Sequence, residues 1–256
     1  MMQKEKEKFT SSNVLEGMTS ISALLNSSED NDRRVLSVMI DNTKRKSKSA
    51  EIGFLTAKSH QLGFPIEFVD TAVIESYTIG NSHGGIIAFC TERTIPSLTA
   101  DALEPNGFYV LLEGVEDPYN FGYTVRSLYA AGVNGIILPP RNWMSAAGVV
   151  ARASAGTSEL IPLYTANTDD AVTIFKKAGY KVLCAGIRDS VSVFDATLHY
   201  PILLVIGGEK RGISRNILDQ ADQIVRIDYG RSFRGSLSAA SAATVLAFEI
   251  YRQNKS

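Results

Sequence analysis

The stretch Pro201-Ile-Leu-Leu-Val-Ile206-Gly207-Gly208-Glu209-Lys210-Arg211-Gly212-Ile213-Ser214 decides how this chain is read. An unbroken apolar run of strand length, without alternation, is what a strand needs when helices cover both faces of a parallel sheet. The glycines that follow permit positive φ and let backbone come close to a ligand, and Ser214 then opens a helix. The loop lacks the Lys-[Ser/Thr] pair that completes a phosphate-binding loop, and it is not the GxGxxG of a dinucleotide fold. It is a strand, a glycine turn and a helix, with an acidic side chain at the turn.

Working outward, the same grammar repeats. Strand-like runs fall at 109–112, 135–138, 160–161, 181–183, 201–206 and 223–227, with helices beginning near Phe121, Ala146, Asp169 and Ser214 and a last helix over 237–253. The alternation predicts an α/β domain over 107–256 with a parallel sheet flanked by helices. Upstream, residues 1–10 read as a disordered charged lead. Helix signals around Val14 to Met18 and Ile21 to Leu25, a strand at 35–40, a helix at 50–62 stopped by Gly63-Phe64-Pro65, and strands at 66–69 and 85–89 make a second, small α/β module over 11–91. The stretch 92–106, with Pro96 and Pro105, reads as a linker.

The 256 residues carry a formal net charge of -1, so nucleic-acid binding has to rely on local patches rather than a uniformly basic surface. Candidates are Arg33-Arg34, Lys44-Arg45-Lys46 with Lys48, and Arg231 with Arg234. Cys90 and Cys184 sit among apolar neighbours without CxxC spacing, so buried inert thiols are expected and a metal site is not. No long apolar run follows the charged N-terminus, which excludes a secretory signal or membrane span from the reading and makes a cytoplasmic protein the expectation.

Two further motifs share the context of the first, each between a strand and a helix: Asn120-Phe-Gly122-Tyr-Thr-Val-Arg126, and Ser236-Leu237-Ser238 opening an Ala-rich helix. In that order the three motifs resemble the SpoU (TrmH-like) branch of the SPOUT RNA methyltransferases, over roughly 107–253. The module before them is similar to the ribosomal-protein-like substrate-binding domain that often precedes this catalytic domain, at Gly17, at Gly63-Phe-Pro65-Ile-Glu-Phe-Val69 and at His83-Gly84-Gly85-Ile86.

The resemblance implies a deep trefoil knot in the C-terminal domain, S-adenosyl-L-methionine as methyl donor, a ribose 2'-hydroxyl of RNA as acceptor, and a homodimer. It implies Arg126, Asn120, Glu209 and Ser236 as catalytic residues, and Ala185, Gly186, Gly207, Gly208, Gly212, Ile227 and Leu237 as the donor pocket. For RNA the residues themselves offer Arg231 and Arg234, two guanidiniums flanking Phe233 in a loop that is equally a candidate dimer contact, and His83, although a His before a Gly pair is equally a turn residue. A guanidinium needs about 9 kcal/mol to lose its proton at pH 7, so the arginine is easier to understand as holding the hydroxyl and stabilising a developing alkoxide than as a simple base. One departure stands out: where the family has Ser-Leu-Asn, this chain has Ser238 in place of the Asn, and the preceding loop is one residue longer. The expectation is an RNA ribose 2'-O-methyltransferase acting on ribosomal RNA; the alternatives are a noncatalytic RNA-binding knot protein and a transfer-RNA 2'-O-methyltransferase.

Overall fold

The computed structural model of the chain describes residues 13–78, 83–141 and 143–255; the charged lead at 1–10 lies outside them. Contacts divide the chain into two compact units, one of Met1–Thr94 with Asn142–Leu160, the other of Ile95–Arg141 with Ile161–Ser256.

The first unit begins β1 (Val14–Glu16), α1 (Gly17–Leu25), β2 (Val35–Asp41), α2 (Ser49–Leu62), β3 (Ile66–Val69), α3 (Thr71–Tyr77) and β4 (Ile86–Cys90). Val14 to Glu16 form a strand where helix was expected. They pair antiparallel with Phe89 to Ile87, burying Val14 and Leu15, and Gly17 at φ 81 turns the chain into α1. Helix α3 is absent from the sequence expectation, since about two turns with one buried residue, Ile74, leave little periodicity to read. Helix α2 ends as predicted, on Gly63 in the left-handed region with its N–H on the Ser59 carbonyl. The sheet order is β1-β4-β2-β3, with only β3 parallel to its neighbour.

In chain order β5 (Phe108–Glu113), α4 (Pro118–Ala130) and β6 (Gly135–Leu138) follow in the second unit, and then α5 (Ala147–Ala153), which belongs to the first. The sequence reading assigned all of 107–256 to one domain. Segment 142–160 instead groups with the N-terminal unit because its contacts lie there: Ala151 enters the core formed by Leu15, Ile21, Val38, Ile40 and Leu55, and Arg152 pairs with Glu16 at 3.0 Å. A buried polar network completes the attachment. Arg33, 1% exposed, meets Glu159 at 3.2 Å; Asn31 Nδ2 donates to the Glu159 carbonyl at 3.0 Å and to its carboxylate at 3.2 Å; Arg93 donates to the Ser158 carbonyl. Arg33 is therefore a core residue and not part of an RNA-facing surface patch. Sequence charge alone does not reveal a carboxylate that arrives from 126 positions away.

The second unit continues with β7 (Leu163–Thr165), α6 (Thr168–Lys177), β8 (Lys181–Ala185), β9 (Val191–Ser192), β10 (Ile202–Gly207), α7 (Arg215–Gln220), β11 (Gln223–Arg226) and α8 (Ala239–Asn254). Its seven strands run in the order β7-β6-β5-β10-β8-β11-β9 and every pairing is parallel. The strand expected at 160–161 lies three residues later, because Ile136 takes the Pro162 carbonyl and Leu163 is the first residue in register. The presumed linker is not free chain: Ser97 bridges to Thr165 at the sheet edge and Leu98 is buried.

Alternate residues of the central strands feed two faces. On one, Tyr109, Leu111, Val182, Leu203 and Val205 pack on Phe175 of α6 and Ile217 of α7. On the other, α4 and α8 pack together, with Thr244 Oγ1 and Ser127 Oγ 2.7 Å apart. Both cysteines are buried as expected.

Burial pushes the Cys90 and Cys184 thiols from 9.0 up to about 12. Since the folded state holds these protons more tightly than the unfolded chain, the stabilisation is complete below pH ~9 and is lost as pH rises toward 12. Neither thiol should react with Ellman's reagent at pH 8 until denaturant opens its unit, Cys90 reporting the first and Cys184 the second in single Cys→Ala variants. Rapid labelling of either in the native protein would contradict the burial.

Candidate active site

The parallel strands β5, β8, β10 and β11 end on the same edge of the sheet, and their loops are held together by backbone. After β10, Gly208 donates its N–H to the Glu113 carbonyl at 2.6 Å, and Gly212 donates to the Gly208 carbonyl at 2.9 Å. A Cβ on Gly208 would stand 1.9 Å from the Gly114 carbonyl oxygen, and one on Gly207 2.3 Å from the Gly212 carbonyl carbon. Both glycines are required by backbone meeting backbone, where the sequence reading gave them to ligand contact. Gly212 has open space around it but sits at φ 65, a region that L side chains enter at a cost. Glu113 Oε2 adds a side-chain tie to the Ser214 N–H, at 3.1 Å, where α7 begins.

Helix α4 starts at Pro118, earlier than the predicted Phe121, because Asp117 caps it by accepting the Asn120 N–H at 2.8 Å and Pro118 occupies the first turn without needing a donor. Asn120 thus lies in the first helical turn, and its Nδ2 donates to Glu209 Oε1 at 3.2 Å. That bond joins the first motif to the second across 89 positions. The third motif reaches the same place through the loop before α8, where the Tyr229 hydroxyl accepts the Leu237 N–H at 3.3 Å and Tyr229 meets Phe233 edge-on with centroids 5.7 Å apart.

Between these loops lies a cavity of about 970 Å³. All seven predicted donor-pocket residues, Ala185, Gly186, Gly207, Gly208, Gly212, Ile227 and Leu237, line it, together with Glu209, Ser236 and Arg234. Its apolar wall gains Ile206, Ile224 and Leu246, and its polar rim gains Asp189 and Asp228. Asp228 accepts from Arg226 Nε at 2.8 Å, and a Ser192 hydrogen bond together with Arg226 holds its carboxyl below the usual range. Sequence reading missed Glu113, Gly114, Asp189, Asp228 and Tyr229. The Glu113-Gly114 pair directly after a strand was a usable signal, whereas the others depend on how the loops fold.

Four predicted residues do not line this cavity, Asn120 among them, which reaches it only through its bond to Glu209. Arg126 is exposed and does not line it, and Arg231 is exposed on the preceding loop. His83 is in the first unit, buried, with Nδ1 accepting the Gly85 N–H at 3.0 Å. The Ser238 departure has a local explanation: its Oγ accepts the Ser241 N–H at 3.2 Å and caps α8, which starts at Ala239 rather than at 237. Asn and Ser serve this capping position about equally well.

An all-parallel sheet with a deep pocket outside the carboxyl ends of its central strands, where the strand order reverses, defines a ligand-binding α/β protein. This chain belongs to the SpoU rRNA Methylase family, whose sequence profile matches residues 107–248. A "Putative TrmH family tRNA/rRNA methyltransferase" of Staphylococcus haemolyticus is 33% identical over 145 residues, 56% of this chain and 58% of that protein. A "23S rRNA (guanosine-2'-O-)-methyltransferase RlmB" of a Burkholderia species is 32% identical over 175 residues, covering 67% of this chain and 70% of that one. The AdoMet-bound rRNA methyltransferase from Sinorhizobium meliloti superposes with a TM-score of 0.78 at 24% identity, over 95% of this chain and 88% of that one, and shows the same fold.

Gly208→Ala should prevent the loops from closing and abolish binding in the cavity, lowering the melting temperature markedly, while Gly212→Ala should cost only about 1–2 kcal/mol. Calorimetric titration with S-adenosyl-L-methionine alongside thermal melts checks both. Ser238→Ala should cost about 1 kcal/mol in urea denaturation and Ser238→Asn should be close to neutral; a large loss for Asn would remove the capping explanation.

Proposed function

We propose that this protein transfers the methyl group of S-adenosyl-L-methionine to a ribose 2'-hydroxyl of RNA, with ribosomal RNA as the substrate. The observation that carries the reading is the Asn120–Glu209 bond at the mouth of the 970 Å³ cavity, set in a chain of the SpoU rRNA Methylase family. The cavity suits the donor. Ile206, Ile224, Ile227 and Leu237 offer an apolar wall for an adenine, Gly186, Gly207 and Gly208 present backbone without side chains, and Asp189, Asp228 and Glu209 offer carboxylates toward hydroxyl or cationic groups. When bound, the donor supplies an electrophilic methyl on a sulfonium.

Within this reading the residues divide the work. Glu209, fixed by Asn120, presents a carboxylate at the cavity mouth, and Ser236 adds a hydroxyl on the facing loop. Arg126 holds the acceptor ribose and its neighbouring phosphate and stabilises charge developing on the 2'-oxygen. Arg231 and Arg234, with Phe233 57% exposed between them, offer phosphate contacts and a stacking surface for a base.

The protein works as a homodimer in this account. Arg126 does not line the cavity of its own chain, and Tyr123 and Tyr129 of α4 with Phe248 and Tyr251 of α8 are large aromatics left 42–50% exposed on the two helices. A second copy covering them would also bring an arginine to the cavity. The N-terminal unit serves as the RNA-binding domain. Strands β10 and β11 insert between strands laid down earlier, in the order β5-β10-β8-β11, which supports the trefoil knot implied by the family. Among the described residues no helix is long and apolar enough to cross a membrane, and we place the enzyme in the cytoplasm with its RNA. The cap made by Ser238 keeps the start of α8, and with it the loop that carries Ser236 and Leu237, in place.

Incubation with labelled S-adenosyl-L-methionine and total RNA from a strain lacking the protein, followed by nucleoside mass spectrometry, should yield one 2'-O-methylated nucleoside from ribosomal RNA. Arg126→Ala should lower the rate by at least about 100-fold while still binding the donor. Methylation of a base, or only of transfer RNA, would overturn the substrate assignment; donor binding without transfer would establish the noncatalytic alternative.

A further inference from the structure

The first unit contains a second cavity, of about 320 Å³, that methyl transfer does not use. One wall is the first turn of α1, contributed by Gly17, Met18, Thr19 and Ser20. The N–H groups of a first turn have no partner within the helix, and Glu16 at the cap position makes no side-chain bond to them. Its carboxylate is instead paired with Arg152 at 3.0 Å. The positive end of a nine-residue helix and its amide donors therefore open onto the cavity.

An independent observation comes from His83, which is 7% exposed and lines the same cavity. Its Nδ1 accepts the Gly85 N–H at 3.0 Å. A neutral imidazole carries one N–H, so accepting at Nδ1 puts the proton on Nε2. That nitrogen is a donor with no acceptor among the described residues, on a side chain held by its own turn. Lys48 and Arg152 also line the cavity against the single carboxylate of Glu16; Lys48 Nζ is 2.8 Å from Glu51, outside the wall. Each of the two cations is thus already matched by a carboxylate, Arg152 by Glu16 and Lys48 by Glu51, and what the cavity presents beyond those pairs is a set of amide donors and an imidazole N–H, a receptor for an acceptor-only group.

We propose that this cavity is an oxyanion subsite, and that the oxyanion it takes is a backbone phosphate of the RNA substrate. The inference rests on the RNA methyltransferase reading. What favours a polyanion over a free phosphate is the basic loop that leads into Lys48. Lys44 lies against Gly85, where a Cβ would meet its Cγ at 2.7 Å, and Arg45 is stacked on Phe68 at 3.6 Å, so positive charge continues along the chain beside the His83 turn. The subsite also explains why a His stands before the Gly pair, since Nδ1 builds the turn and Nε2 addresses the ligand.

The test compares wild type with His83→Asn, whose amide oxygen can still accept the Gly85 N–H but which loses the Nε2 donor, and with Lys48→Gln. Binding of total ribosomal RNA is measured over a salt series, and the Met18, Thr19 and Ser20 amide signals are followed by NMR during titration with inorganic phosphate. Thermal melts and protection of Cys90, which lies in the core of the same unit, from Ellman's reagent verify that each variant keeps that unit folded. His83→Asn should weaken RNA binding about tenfold, Lys48→Gln should weaken it and reduce the salt dependence by about one phosphate contact, and phosphate should shift the three amides in wild type but not in His83→Asn. RNA affinities within twofold of wild type for both folded variants would overturn the subsite. Amide shifts with phosphate but unchanged RNA binding would overturn its assignment to RNA in favour of a free phosphate ligand. A wild-type protein that neither binds nor methylates RNA would instead bring down the functional reading beneath it.

Discussion

The Cα of Gly208 and the backbone of Gly114 occupy a space in which a single methyl group would collide with a carbonyl oxygen at 1.9 Å. The closeness follows from the sheet order. Strand β10 lies directly beside β5 along its whole length, Ile202 opposite Phe108 through Gly207 opposite Glu113, so the turns that leave the two strands emerge side by side. The Gly208 N–H then reaches the Glu113 carbonyl, Gly212 closes back on Gly208, and Glu113 fixes the start of α7. Remove the fit and Glu209 is no longer presented to Asn120.

From that contact the pocket follows with little further instruction. Parallel strands place all their carboxyl ends on one edge, so Ala185, Gly207 and Arg226 end close together although far apart in sequence. Helix α8 is tied to α4 by the Thr244–Ser127 hydrogen bond, which couples the loop carrying Ser236 and Leu237 to the helix carrying Asn120 and Arg126. The aromatic pair Tyr229 and Phe233 folds that loop over the cavity. A loop one residue longer than the family pattern is accommodated here without disturbing the helix start, because Ser238 supplies the cap.

The first unit solves a different problem. Its four-stranded sheet recruits segment 142–160 through a buried ionic network as well as through Ala151. A buried pair such as Arg33–Glu159 is costly to desolvate and is tolerable only when its remaining donors and acceptors are satisfied; the Thr91 carbonyl accepts from Arg33 Nε and Asn31 Nδ2 donates to the Glu159 carboxylate. The network acts as a specific address for a segment that, in sequence, lies between two strands of the other unit.

Much of this was legible in the residues themselves. Unbroken apolar runs such as 201–206 specify strands covered on both faces, Gly63 ends α2, and three motifs in order identify the family and the seven residues that do line the cavity. Each of these is a local signal, carried by hydrogen bonds and steric limits within a few residues. Tertiary structure alone decided that Val14 to Glu16 pair as a strand, that Arg33 is buried, that Gly208 answers to Gly114, and that 142–160 joins the first unit. In every one of those cases the partner lies tens of residues or more away, and what a side chain or a carbonyl will meet at that separation is set by packing, which no local pattern encodes.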